Sequence, residues 1–200
     1  MTCAARLRSN LRWWGPIAVL LLTAGLVTAA TDREVLETGG VRFDHSIEQP
    51  GGELHLVGAG VLRWKVLFRA YASAFYLPQG IPPDQWDRDV PKRLVIHYFW
   101  DIAGDEFGPA GEAVLRRMYS EEQLDPVREQ LDALRFAYKD ILKGDRYALA
   151  YAPGQGTTLL HNDQPVITLP GADFARLYFS VWLGPDPVDR GLRDKLLGGS

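Results

Sequence analysis

Between Arg63 and Ala74 the chain alternates, with Trp64, Val66, Phe68, Ala70, Ala72 and Ala74 on even positions and Arg63, Lys65, Arg69, Tyr71 and Ser73 between them. A period of two is that of a β-strand, whose successive side chains point to opposite faces of a sheet. The alternation predicts one long strand over residues 61–77, with one dry face and one face carrying charge and hydroxyls. Gly58-Ala59-Gly60 predicts a bend before it, and two shorter ribbons, residues 41–47 and 53–57, flank the turn Gln49-Pro50-Gly51-Gly52.

The rest of the chain adds helices to this sheet. Four prolines make residues 78–91 a loop with at most a short helix near residues 84–87, and residues 92–100 return to strand. Residues 105–119 have helical composition. Ser120-Glu121-Glu122-Gln123 is a capping box opening a second helix, with Leu124, Val127, Leu131, Leu134 and Tyr138 as its apolar stripe. Strands follow at 146–151, 157–161 and 166–169, the last two joined by the hairpin turn Asn162-Asp163. Phe174, Leu177, Tyr178, Val181 and Trp182 then form a wide apolar helical face that Gly184-Pro185 ends, and a short amphipathic helix closes near Leu197. Strands, helices, strands and helices in that order predict an α+β fold with an antiparallel sheet.

The N-terminus belongs to a different task. Arg6, Arg8 and Arg12 precede the apolar run that begins at Ile17, and Thr28, Ala29 and Ala30 close it with small residues. That order reads as a signal peptide over residues 1–30, cleaved after Ala29 or Ala30, leaving a single domain over residues 31–200. The run is at the short limit for a membrane span, so membrane contact is expected only through this segment. The only cysteine, Cys3, leaves with it, so the domain must be held by its core rather than by disulfides. Residues 1–30 contain three arginines and no acid, so their removal takes the formal charge from −3 to −6, which argues against a nucleic-acid partner.

Few residues announce chemistry. His45, His55, His97 and His161 are scattered without ligand spacing, so no metal or other cofactor is expected. Pro153-Gly154-Gln155-Gly156-Thr157-Thr158 lacks the lysine of a phosphate loop and joins two strands, so a hairpin turn is expected there. The acidic pairs Asp105-Glu106 and Glu121-Glu122 stand at helix starts, where they offset the helix dipole. What remains is the polar face of the long strand: an arginine held there is a natural carboxylate or enolate partner, and a neighbouring tyrosine adds a neutral donor.

Four segments carry a resemblance: GAGVLRWKVLFRAYASAFYLP (58–78), KRLVIHYF (92–99), KGDRYALAYAPGQGTTLLHNDQPV (143–166) and PGADFARLYFSVWLGPDPVDRGLRDKLLG (170–198). Together they resemble the bacterial chalcone isomerase-like proteins over essentially the whole of residues 31–200. The resemblance implies an open-faced β-sandwich in which a large antiparallel sheet is covered by helices, with a ligand cleft between them. It implies two functions, because that superfamily includes plant chalcone isomerases, which close a chalcone to a flavanone by intramolecular addition, and fatty-acid-binding relatives. The family arginine falls at Arg63 and the enzyme's strand threonine at Tyr71; these two would be catalytic if the chain is an isomerase. The enzyme's tyrosine, asparagine and late serine or threonine fall at Phe107, Val114 and Ala175, none of which has a polar side chain.

Losing several such donors leaves at best residual isomerase activity, since one donor to developing charge is worth about 10²- to 10³-fold. The expectation is therefore a periplasmic protein holding a fatty acid or similar small amphipathic carboxylate. Arg63 is its expected anion anchor and Tyr71 a donor, Arg69 and Tyr76 are further candidates, and Phe107, Val114 and Ala175 make an apolar wall. An isomerase of enone substrates is the alternative. A scaffold without ligand, its cleft filled by Phe107 and Trp182, is the third reading.

Overall fold

The computed structural model describes residues 35–64 and 68–199; the signal peptide read over residues 1–30 lies outside them. Strands β1 (Val35–Thr38) and β2 (Val41–Asp44) pair as a separate antiparallel hairpin. Seven further strands follow: β3 (Ser46–Gln49), β4 (Gly52–Trp64), β5 (Phe68–Leu77), β6 (Lys92–Tyr98), β7 (Arg146–Ala152), β8 (Gly156–His161) and β9 (Gln164–Leu169). They form one antiparallel sheet whose spatial order is the sequence order. Helices α1 (Gly104–Met118), α2 (Glu121–Leu124) and α3 (Arg128–Ala137) come between β6 and β7, and α4 (Ala172–Leu183) and α5 (Arg190–Leu196) follow β9. The α+β expectation, a large antiparallel sheet with helices, is what the chain builds.

Each face of the sheet has its own core. On one, Phe75, Leu94, Ile96, Leu149 and Leu159 pack with residues of α1, α3, α4 and α5, Phe174, Phe179, Leu115 and Leu196 being fully buried. Each such side chain contributes about 1.5–3 kcal/mol of transfer free energy. On the other, Ala72, Ala74, Tyr76, Val95 and Ala148 pack under Val41 and Phe43 of the β1–β2 hairpin. Of the even positions of β5, Ala72, Ala74 and Tyr76 are dry, since Ala72 and Ala74, with Ala148 of β7, let the hairpin approach closely, whereas Phe68 is 50% exposed and Ala70 lines the opposite face, so the predicted dry face holds only from residue 72 onward. Among the described residues no helix is long and apolar enough to cross a membrane.

Two local expectations are corrected. Residues 61–77 are not one strand: β4 and β5 pair antiparallel with Trp64 opposite Phe68, so the chain reverses inside the alternating run. The glycines at 58 and 60 do not bend the chain out of the sheet but lie inside β4. A Cβ on Gly58 would stand 2.0 Å from the Lys195 carbonyl oxygen, and one on Gly60 would stand 2.8 Å from Leu192 Cδ1. Absent side chains let α5 lie directly on the strand.

The capping box forms, Ser120 N donating to Gln123 Oε1 at 3.0 Å. The helix it opens is broken by a 3₁₀ turn, Asp125–Val127, where Pro126 supplies no N–H, so the stripe is shared by α2, that turn and α3. Asn162 and Asp163 take φ of 49° and 62°, the left-handed pair of a type I′ hairpin turn.

Candidate functional site

Between the sheet and helices α1, α3 and α4 lies a cavity of about 330 Å³. Leu62 and Ala70 lie near one end, Ile96, Leu149 and Leu159 form its sheet wall, and Val181, Trp182 and Gly111 belong to the helices. Gly111 of α1 lets Tyr178 of α4 come close: a Cβ there would stand 3.1 Å from the Tyr178 hydroxyl. Five of the eight tyrosines line it, namely Tyr71, Tyr98, Tyr138, Tyr147 and Tyr178. Phe107 stacks on Tyr138 at 5.0 Å, and Tyr98 meets Tyr71, Phe107 and Tyr147 edge-on at 5.7, 5.5 and 6.2 Å. Such edge-to-face contacts hold rings in one arrangement and contribute about 0.5–1.5 kcal/mol each.

The hydroxyls differ in how far they are satisfied. Tyr147 OH donates to the Lys139 carbonyl at 2.9 Å and accepts from Lys139 N at 2.8 Å. Tyr138 and Tyr178 share one hydrogen bond of 2.8 Å. Tyr71 OH accepts from Trp182 Nε1 at 3.1 Å, and its own proton has no acceptor among the described residues. Tyr98 OH has no hydrogen-bond partner among them at all. Burial raises the pKa of all of these phenols, Tyr178 to about 12, so at neutral pH each is a neutral donor. Among the described residues no arginine or lysine lines the cavity, and the one acid, Glu106, is exposed at the start of α1.

The residues expected from sequence divide. Tyr71 and Phe107 line the cavity. Val114 and Ala175 are buried in the helix-side core and do not line the cavity, whereas Gly111 and Tyr178, about one turn away from each, do. Arg63 is exposed and not part of the cavity wall. Arg63 follows Leu62 on β4 and so points away from it, and on β5 a bulge has the same effect on Arg69: Leu62 pairs with Tyr71 but Arg63 with Arg69, leaving Ala70 as the extra residue. Leu62 and Tyr71 therefore face the helices, while Arg63 and Arg69 fall on the other face. Arg69 bonds Gly39 O at 2.7 Å there and lies over the Phe99 ring at 4.7 Å. Tyr76 is on that far face too, donating to the Asp44 carbonyl at 3.0 Å.

Sequence reasoning passed over Tyr98 and Tyr147, read Tyr138 and Tyr178 only as apolar helix-face residues, and named Trp182 only as a filler of the cleft. A signal existed for two: Tyr98 continues the alternation of Leu94 and Ile96, and Tyr178 lies one turn from both Phe174 and Trp182. Nor is the cleft filled, as a scaffold would require: Phe107 and Trp182 are walls of the space.

Comparison with known proteins bears on both fold and family. A crystal structure of an Arabidopsis thaliana fatty-acid binding protein superposes with a TM-score of 0.62 at 15% identity, over 82% of this chain and 96% of that one. At that identity the likeness concerns the fold. No curated protein matches the chain. The model of the chalcone isomerase-like family matches residues 35–198, nearly every residue from which the sheet and helices are built, and the chain belongs to that family.

Proposed function

We propose that the chain binds a small amphipathic molecule in the tyrosine-lined cavity, its acceptor oxygen held by Tyr71 and Tyr98 and its apolar body against Phe107, Leu149, Val181 and Trp182. The observation that carries this is the pair of phenol protons, on half-buried Tyr71 and buried Tyr98, without acceptors among the described residues and beside a largely apolar space of about 330 Å³. Small-molecule sites have this composition: mostly apolar walls and a few polar groups that fix orientation. A fatty acid of short or medium length meets the requirement, its carboxylate taking two neutral donors in place of a cation. The superposition on a fatty-acid binding protein supports this class of ligand. The leader read over residues 1–30 supports a periplasmic site of action.

Calorimetric titration with dodecanoate tests the reading. One-to-one binding, weakened in Tyr71→Phe and Tyr98→Phe, is the expected result; binding unaffected by both substitutions would remove the tyrosines from the site. An enone placed with its oxygen at the same donors would be polarised there, which is the form the isomerase alternative takes. Chalcone turnover abolished by Tyr71→Phe would favour that alternative over simple binding.

A further inference from the structure

Lys92 and Arg93 are neighbours on β6 and point to opposite faces of the sheet. Lys92 is 1% exposed, and its ammonium is well provided for: Nζ donates to the Trp86 and Arg88 carbonyls at 2.7 Å and lies over the Tyr151 ring at 5.0 Å. Arg93 is less complete. Its side chain is 12% exposed, and its one ion pair among the described residues, to Asp163 at 2.8 Å, uses a carboxylate that is 75% exposed. Its Nε is buried with no partner among the described residues. A buried donor left unmet costs about 1–3 kcal/mol, so this edge of the guanidinium calls for an acceptor.

The space beside it can hold one. A second cavity, of about 500 Å³, lies on the face away from the tyrosine site, between the sheet and the β2–β3 segment. Arg42, Arg93, Arg146 and Tyr76 line it together with Phe43 and Val95. Arg146 is held in place, donating to the Arg42 carbonyl at 3.1 Å and lying over Phe43 at 5.6 Å. Arg93 and Arg146 both act on the Tyr76 hydroxyl, pulling its pKa down against the larger upward effects of burial and Asp44. Arg146 also helps to hold the neighbouring His97 neutral, after burial, and His97 Nδ1 is likewise buried without a partner. Four acids also line it, Asp44, Glu48, Glu53 and Asp163; of these Glu48, Glu53 and Asp163 are exposed, where water screens them.

We infer that this cavity is a second ligand site, for a small oxyanion, a carboxylate or a phosphate, held by the unpartnered edge of Arg93 and by Arg146. The Nε–H and the adjacent Nη–H of a guanidinium form a planar fork that matches two oxygens of such a group. Asp163 is the built-in competitor at the same side chain.

The test is to follow the arginine Nε–H signals of the labelled protein by NMR during titration with inorganic phosphate and, separately, acetate. A saturable shift of the Arg93 Nε–H signal is expected, weakened at least fivefold by Arg146→Met and lost with the signal in Arg93→Met. Asp163→Asn should tighten binding several-fold; asparagine tolerates the left-handed backbone of residue 163, so the hairpin is kept. A response to phosphate alone or acetate alone supports the site and names its oxyanion. An Arg93 signal that neither anion moves, or affinities unchanged by both Asp163→Asn and Arg146→Met, overturns the inference.

Discussion

The two faces of the sheet are covered by different means, and their chemistry follows from the covering. Helices bring large aromatic side chains to one face and leave a gap among them, where phenol hydroxyls bond one another or stand ready to donate. On the other, a two-stranded hairpin settles on Ala72, Ala74 and Ala148, and the polar groups around it are guanidiniums tied to carbonyls and exposed acids. A neutral, apolar pocket and a charged one thus lie back to back across a single layer. The lesson is that β4 and β5 decide side as well as pairing: one bulged residue, Ala70, sends Tyr71 to the first face and Arg69 to the second.

The comparison can be broken most forcefully at the contact of α5 with the sheet. Gly58→Ala puts a Cβ against the Lys195 carbonyl, and backbone gives way far less easily than a side chain. We expect a loss of about 3 kcal/mol or more in urea unfolding. Gly60→Ala meets side chains only, the end of Leu192 at 2.8 Å and Lys195 Cβ at 3.2 Å, and should cost less, about 1–2 kcal/mol. On the hairpin face Ala74→Leu overfills a fully buried position beneath Val41 and Phe43, with an expected cost of about 1–3 kcal/mol and no change in ligand affinity at the tyrosine cavity. A large change in that affinity would show that the faces are mechanically coupled.

The pH dependence of stability separates buried charge from buried phenol. Burial lowers the Lys92 pKa to about 8, so between pH 8 and its ordinary value near 10.5 the unfolded chain binds more protons than the folded one. Stability must then rise with pH, by about 1 kcal/mol from pH 8 to 9, and Lys92→Met should flatten that slope in pH-stepped unfolding. Above pH 10 the sign reverses: the folded pKa values of Tyr71, Tyr98, Tyr138 and Tyr178 are raised, so the unfolded chain loses those protons first and stability falls.

Smaller effects sharpen the site itself. Tyr98→Phe and Tyr71→Phe should each weaken dodecanoate binding by about 1 kcal/mol, roughly fivefold, the ordinary contribution of one hydrogen bond. Arg63→Ala should leave it within twofold, since Arg63 is not part of the cavity wall.

The elements were largely legible because period and punctuation are local. Leu94, Ile96 and Tyr98 alternate, Ser120 caps with Gln123, and Asn162-Asp163 turns a hairpin, all within a few residues. What was not legible depends on distant partners. Gly58 and Gly60 look like a bend until α5, more than 130 residues later in the chain, is seen to need their missing side chains. The alternating run from Arg63 to Ala74 contains no glycine, proline, asparagine or aspartate to announce a reversal. The bulge at Ala70 leaves no mark in the sequence, yet it separates Arg69 from Tyr71, and the register of β4 on β5 sets Leu62 rather than Arg63 opposite Tyr71. The aromatic cavity was hidden for the same reason: Tyr98, Tyr138, Tyr147 and Tyr178 come from β6, the end of α3, β7 and α4 and meet only in the folded chain.

The most direct test of the central claim, that the tyrosine cavity holds a small amphipathic ligand, is native mass spectrometry of the protein purified from a bacterial periplasm, before and after addition of dodecanoate. The account predicts one bound molecule per chain, either carried through purification or taken up on addition, with occupancy reduced in the Tyr71→Phe, Tyr98→Phe double variant and unchanged in Arg63→Ala. A protein that arrives empty and stays empty, or one whose occupancy depends on Arg63 and not on the tyrosines, would contradict it.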